Sequence, residues 1–379
     1  MRLSKISYAR QRTTWRDFLA VAQVVRAPLL AMGPQRDLFE KELAEFVDTR
    51  FAVAVSSGTA ALHAAYAAAG ISAGDEVIVP AMTFASTATA ALHLGAEIKV
   101  ADVDPETGLV DPASVDALIS ERTKAIVGVD YAGQPCDIEG LKRLTQTSDI
   151  TVISDSAHSL GSSLNGRAVG GLADVTCFSM FATKNVAAGE GGAVVTNSAE
   201  LGSRARRFSA HGIIRGTGDR TFDSLEPWFY DVAELGLNYR PSEMQMALAR
   251  SQLSQIKHFR AKRQEIFARY VRELREVSEL ALPEEQVNAE IMWHLFPVRV
   301  RPHDRLALFN YLHSQGVIVQ VNYRPIYFNS LFLAKDYPRG LCPGAEKFYA
   351  QEVSLPMHAA LTSRDQGRVI RAIKRFYSK

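Results

Sequence analysis

The sequence predicts an α/β protein: a mostly parallel, doubly wound sheet of seven strands, followed by a smaller C-terminal α+β domain. Three observations carry this. Seven short apolar runs recur between residues 51 and 196, and helix-length segments separate the earlier ones. Beyond residue 280 the rhythm changes to strand-like runs scattered among helices. A chain of 379 residues suffices for one large domain and a smaller one. The division is expected at 1–255, N-terminal helices plus the large α/β domain, and 256–379, the smaller domain.

Residues 14–27 and 37–47 carry apolar side chains at helical spacing, with Gly33-Pro34 breaking the chain between them. The strand runs are 51–55, 76–79, 97–101, 124–129, 151–154, 175–179 and 192–196. They are apolar almost throughout, which suits strands covered on both faces. Helices expected at 59–69, 84–94, 112–121 and 138–147 alternate with them, the order of a parallel doubly wound sheet. One long helical stretch is expected from Ser242 to about Glu276. The last hundred residues combine strand-like 296–300 and 317–321 with helices at 303–314 and 363–377.

The composition, 47% hydrophobic and 22% charged, is that of an ordinary globular protein. A formal charge of +2 gives no general field for nucleic acid, so an anionic substrate requires a local basic site. Cys136, Cys177 and Cys342 show neither metal spacing nor a disulfide framework, pointing to a reducing compartment and no metal. No signal-peptide core follows the N-terminus, and the alanine-rich run 60–69 is too short to cross a bilayer. The expectation is a cytoplasmic protein with no membrane partner.

Four segments at strand ends carry chemistry. Ser56-Ser57-Gly58-Thr59 leaves a strand and opens a helix, where small residues and unpaired N–H groups can hold a phosphate. A plain serine N-cap is the competing reading. Phe84, in the segment Pro80–Thr87, could stack on a flat ring or be simple core. Asp155, at the end of an apolar strand, is expensive to bury without a cation such as a protonated pyridine nitrogen. A helix N-cap aspartate is the alternative there, and His158 could be a satisfied core histidine. Lys184 follows an apolar strand among small residues and glycines. Burial lowers a lysine's pKa and makes its amine nucleophilic, as Schiff-base chemistry requires. Ser179 could add a hydroxyl to the phosphate site. The joint order of these four segments is what makes the pattern specific.

On those residues the chain resembles the sugar aminotransferases of the aspartate-aminotransferase-like (fold type I) pyridoxal phosphate enzymes. The resemblance runs through Ser57-Gly58-Thr59-Ala60-Ala61-Leu62, Ser154-Asp155-Ser156-Ala157-His158, Thr183-Lys184-Asn185, Gly189-Glu190-Gly191-Gly192 and Glu234-Leu235-Gly236-Leu237-Asn238-Tyr239-Arg240. Within the family it looks closest to members aminating a UDP-linked 4-keto-6-deoxy-hexose on the pseudaminic acid pathway. Glu121–Val127, Val129–Gly133, Tyr323-Arg324-Pro325-Ile326-Tyr327 and Ser354–Ala359 carry that likeness.

The resemblance implies pyridoxal 5'-phosphate bound covalently to Lys184, with the pyridoxamine form arising during turnover. It implies that Asp155 holds the pyridine nitrogen, Phe84 stacks on the ring and His158 lies near the ring hydroxyl. Gly58, Thr59 and Ser179 would hold the phosphate, and Asn238 would reach the neighbouring subunit's cofactor in a homodimer with shared sites. Tyr8, Asn322, Tyr323, Arg324 and Pro325 would face a nucleotide-sugar substrate. Two departures stand out: Asn322 replaces a histidine of the close relatives, and Phe181 a histidine or tyrosine of many members. A lysine at 184 implies amination, since relatives that remove a ring hydroxyl carry histidine there. The expected reaction moves an amino group from an amino acid donor, L-glutamate, to C4 of the sugar.

Arg215 and Arg220, in a glycine-containing loop, are candidates for gripping a diphosphate. For Arg204, Arg206 and Arg207 a solvated helix face is the expectation. A keto-cyclitol or 3-keto sugar acceptor, or a silent cofactor-binding regulatory subunit, are the competing functions. A nicotinamide enzyme is disfavoured because the glycine-rich dinucleotide fingerprint is absent after the first strand.

Overall fold

The computed structural model describes residues 5–214, 228–334 and 337–378. Seven strands form the central sheet: β1 (Phe51–Val55), β2 (Glu76–Pro80), β3 (Glu97–Ala101), β4 (Thr123–Val129), β5 (Thr151–Asp155), β6 (Val175–Ser179) and β7 (Gly192–Thr196). Their order across the sheet is β1-β7-β6-β5-β4-β2-β3. Strands β3, β2, β4, β5 and β6 run parallel. Only β7 is reversed, antiparallel to both β6 and β1.

The continuous apolar character of these strands has a direct cause: successive residues feed two different cores. Val53, Val77, Val79, Ala125, Val127 and Ile153 pack on one face of the sheet. Ala52, Ala54, Ile78, Ile126 and Val152 pack on the other. Most strand residues are therefore removed from water whichever way they point.

Helix α1 (Trp15–Val25) packs on the helix Glu243–Leu253, while α2 (Pro34–Phe46), α3 (Gly58–Ala68) and α4 (Ala85–Leu92) pack against the sheet. The Gly33-Pro34 break is the start of α2, with Gly33 as N-cap and Pro34 at a position whose N–H is not needed. Helix α3 is alanine-rich and almost wholly buried, so it lies close against the sheet.

Two expectations are corrected. The stretch from Ser242 to Glu276 is two helices, Glu243–Leu253 and Ile256–Leu274. Gln255 leaves helical geometry at φ −102°, ψ 0°. Its side-chain amide instead donates to the Asp17 carboxylate (3.1 Å) and the Ser251 carbonyl (2.9 Å), which ties the turn to α1. Residues 317–321 form no strand, only isolated bridges from Val317 to Ile6 and from Gln320 to Ser354. Two different segments reach this stretch at two points, so no continuous ladder develops.

The C-terminal three-stranded sheet pairs Leu280–Ala281, Phe296–Val300 and Glu352–Leu355 in that order, antiparallel throughout. Residues near the N-terminus cross to it. The Ile6 N–H donates to the Gly316 carbonyl (2.8 Å), and the Ile318 N–H donates back to Ile6 (3.0 Å). That crossing carries Tyr8 over the carboxyl edge of the central sheet.

Candidate active site

A cavity of about 710 Å³ opens where the strand ends of the central sheet meet the Tyr8 and Asn322-Tyr323 segments. Ser57, Gly58, Thr59, Phe84, Asp155, His158, Ser179 and Lys184 all line it, as do Tyr8, Asn322 and Tyr323. The four strand-end segments of the sequence thus converge on one space.

The turn between β1 and α3 is built by close approach. Ser57 caps α3, its hydroxyl accepting the Ala60 N–H at 3.1 Å. The first N–H groups of a helix lack intrahelical acceptors and point outward, with the positive end of the dipole behind them. A Cβ at Gly58 would lie 2.8 Å from the Ser179 Cβ, and one at Gly192 would lie 2.2 Å from the Ser57 carbonyl oxygen. Only glycines let this turn fit between the end of β6 and the start of β7.

Asp155 ends β5 and is buried. Its Oδ2 accepts the Thr87 hydroxyl at 2.6 Å, and its Oδ1 accepts the Ala157 N–H at 3.2 Å. Burial raises its pKa, opposed by the Thr87 hydrogen bond, the Ala157 N–H and the charge of Lys184. A cationic ring nitrogen beside it would favour the charged carboxylate.

Lys184 lies in a loop closed by the Ala188 N–H on the Met180 carbonyl (2.8 Å). Asn185 pins that loop, donating to the carbonyls of His158 (2.7 Å) and Leu160 (3.4 Å). Desolvation lowers the Lys184 amine to about 8, against the pull of Asp155. An amine in that range is neutral often enough to attack a carbonyl.

His158 is held neutral, first by burial and then by the charge of Lys184. Its ring stacks on His294 at 4.3 Å, and its Nε2 lies 3.1 Å from the Tyr323 hydroxyl. Its Nδ1 is buried without a protein partner. Phe84 is exposed at the cavity, its ring centroid 6.1 Å from that of Tyr323.

Not every expected residue reaches the cavity. Arg324 is exposed, its guanidinium 5.9 Å from the Phe328 ring, and Pro325 is buried beneath the turn that follows. Neither lines the cavity, because the chain turns away as the Ile326 N–H bonds to the Ala81 carbonyl (2.9 Å). Asn238 also lies outside it, exposed, its Oδ1 accepting from Arg240 at 3.0 Å. Arg204, Arg206 and Arg207 pair with Glu200, Glu40 and Glu234. Arg215 and Arg220 lie outside the described residues.

Three contributors escaped the sequence reading. Thr87 sits inside a quoted segment, four residues after Thr83, whose hydroxyl lies 2.6 Å from its own. The signal was a polar pair in an alanine-rich stretch. Asn185 was visible as the one amide beside the lysine. His294 carried no sequence signal, since only the tertiary fold brings it under His158. Among the described residues no cluster of metal-ligating side chains occurs.

The residues fit pyridoxal phosphate: an amine of lowered pKa, a buried carboxylate whose charge acts on it, and a glycine turn at a helix N-terminus with no room for a Cβ. A sheet of this topology with such a site defines a fold-type I pyridoxal-phosphate enzyme. The chain belongs to the DegT/DnrJ/EryC1/StrS aminotransferase family, whose family model matches residues 12–374. It is similar to SpsC of Bacillus subtilis, a spore coat polysaccharide biosynthesis protein. The two are 33% identical over 360 residues, covering 93% of this chain and 92% of that protein. PseC of Helicobacter pylori, an aminotransferase involved in pseudoaminic acid biosynthesis, superposes with a TM-score of 0.91 at 30% identity, covering 99% of this chain and 100% of PseC. The sugar aminotransferase Spr1654 of Streptococcus pneumoniae, known in pyridoxal and pyridoxamine phosphate forms, matches at 25% identity. The pyridoxamine form gives a TM-score of 0.93, covering 98% of this chain and 99% of that one. The chain is a sugar aminotransferase, and its cofactor is pyridoxal phosphate.

Proposed function

We propose that the chain transfers an amino group from L-glutamate to C4 of a nucleotide-linked 4-keto-6-deoxy sugar. The observation that carries this is Lys184 and Asp155 meeting in one cavity whose far wall is Tyr8, Asn322 and Tyr323. The likeness to PseC and SpsC supports a sugar acceptor.

When bound, the cofactor supplies the electron sink that makes the proton beside the transferred nitrogen labile. Lys184 would hold the cofactor covalently, and its amine, with a pKa lowered to about 8, would be suited both to take and to give a proton at the reacting carbons. Asp155 would hold the ring nitrogen in its cationic form, with Thr87 and the Ala157 N–H orienting the carboxylate. Phe84 would stack on the ring, and His158, whose Nδ1 has no protein partner, would lie near the ring hydroxyl. Gly58, Thr59 and Ser179 would hold the phosphate. Tyr8, Asn322 and Tyr323 meet the sugar.

The active unit is a homodimer in which Asn238 completes the partner's site. Its position outside its own chain's cavity supports this, as does the exposed apolar surface of Trp15, Phe18, Trp228 and Leu235. The division at 255/256 falls at the break between the two helices after Ser242. No helix among the described residues is long and apolar enough to cross a membrane. Three buried, unpaired cysteines agree with a reducing, cytoplasmic setting.

The test combines absorbance with added pyridoxal phosphate, a glutamate half-reaction, and a panel of nucleotide-linked 4-keto and 3-keto sugars and keto-cyclitols. Coloured protein, conversion by glutamate and preference for a 4-keto sugar are expected. Protein that stays colourless, with no borohydride-stable mass at Lys184, overturns the reading. Conversion by glutamate with another ketone preferred overturns only the acceptor.

A further inference from the structure

The far wall of the cavity is backed by a carboxyl group that the reaction itself does not use. Glu352 is fully buried within the C-terminal sheet. Its Oε2 accepts the backbone N–H of Asn322 at 2.7 Å, and its Oε1 accepts the hydroxyl of Ser354. Ser354, also fully buried, accepts in turn from the Asn322 side-chain amide at 3.1 Å. The same amide donates to the Tyr8 hydroxyl at 2.5 Å, and the Tyr131 hydroxyl donates to the Asn322 carbonyl oxygen. Asn322 is therefore gripped at its N–H, its carbonyl and its side chain, while it and Tyr8 line the cavity.

Such an arrangement is costly for mere packing. A carboxyl removed from water loses its hydration, and burial pushes Glu352 up to about 8. An apolar side chain would fill the same strand position at lower cost. Buried polar networks that are fully satisfied fix one arrangement of their members. Here the arrangement concerns two residues that face the cavity and join three segments distant in sequence: 8, 322 and 352–354.

We infer that Glu352, acting through Ser354, is a positioning residue that holds the Asn322 amide and the Tyr8 hydroxyl as the surface reading the sugar acceptor. This rests on the functional reading above, and it assigns acceptor recognition to a residue with no contact to the cofactor. Glu352 lies behind the far wall, whereas Asp155 and Ser179 end strands of the central sheet and Lys184 lies in the loop that follows β6. The donor half-reaction should be indifferent to it.

The experiment compares Glu352→Leu, Glu352→Gln and Ser354→Ala in the holoenzyme, measuring the glutamate half-reaction and the KM and kcat for the preferred ketone of the panel. Glu352→Leu and Ser354→Ala should raise the KM for the ketone roughly ten-fold, the value of one lost hydrogen bond to a buried group. The glutamate half-reaction should be unchanged. Glu352→Gln retains an acceptor for the Asn322 N–H and should recover most of the loss. Adding Glu352→Leu to Asn322→Ala should raise KM no further, because the positioned group is already gone.

Equal loss in both half-reactions, or full additivity with Asn322→Ala, overturns the inference. If glutamate converts the cofactor but no ketone is aminated, the acceptor reading fails instead. Crystal structures of wild type and Glu352→Leu then decide this point. An Asn322 amide still on Tyr8 in the variant overturns it, and a displaced amide upholds it.

Discussion

The Thr87 hydroxyl donates to the Asp155 Oδ2 across 2.6 Å, joining α4 to the end of β5 beneath the cavity. Asp155 is the group whose charge must be kept in a buried setting, and Thr87 is the side chain that lowers the cost of doing so. Thr87 is itself held, by the Thr83 hydroxyl at 2.6 Å and by the Tyr66 hydroxyl on its carbonyl at 2.6 Å.

Thr87→Val keeps the shape of the side chain and removes the donor. Its loss leaves burial less opposed, so the Asp155 pKa rises further and its hold on a cationic ring weakens. Transamination should fall about ten-fold and stability by about 1–2 kcal/mol. Steady-state rates and thermal unfolding of the holoenzyme check both. A rate equal to wild type would show that Asp155 does not need Thr87.

Lys184→Ala removes the amine whose charge acts on Asp155 in the cavity. Turnover should be abolished, and borohydride should leave no added mass on the protein. Noncovalent cofactor binding should persist, because the phosphate turn and Asp155 remain. Mass spectrometry and absorbance read the two effects separately.

Gly58→Ala places a Cβ 2.8 Å from the Ser179 Cβ. Neither backbone can yield easily, so the α3 turn must shift, costing about 1–3 kcal/mol. The N-terminal N–H groups of α3, which would hold the phosphate, shift with it. Cofactor should be lost on dialysis from the variant and retained by wild type.

The pH dependence of cofactor uptake follows from Lys184. Its pKa in the folded chain is lowered to about 8, so below that value the amine is protonated and has no lone pair to offer. The rate of covalent attachment to cofactor-free protein should rise with pH and level off above about 8. The stability term has the same sign. Between about 8 and the ordinary lysine value of 10.5 the unfolded chain binds more protons, so this group favours folding increasingly as pH rises. Below about 8 the cost of the buried ammonium is present in full. Absorbance stopped-flow measurements at several pH values check the first point, and urea titrations of the cofactor-free protein the second.

The central sheet was legible because most of its strands are apolar on both faces, as at Val53-Ala54-Val55. A run of that kind in an α/β pattern leaves few alternatives. The single long helix expected after Ser242 failed for the opposite reason. Gln255 is an ordinary helix residue by propensity, and its departure is driven by Asp17, more than two hundred residues away.

What the linear chain determined by itself was local. It set the apolar runs, the small residues at the turns Ser57-Gly58 and Gly191-Gly192, and an unaccompanied lysine after a strand. Covalent identity and short-range sterics are enough to make those signals. Tertiary structure alone decided which polar groups face one another: Thr87 with Asp155, His294 under His158, and Glu352 behind Asn322 and Tyr8. A hydrogen bond requires two atoms within about 3 Å, and residues far apart in the chain meet at that distance only after the whole fold has closed around them.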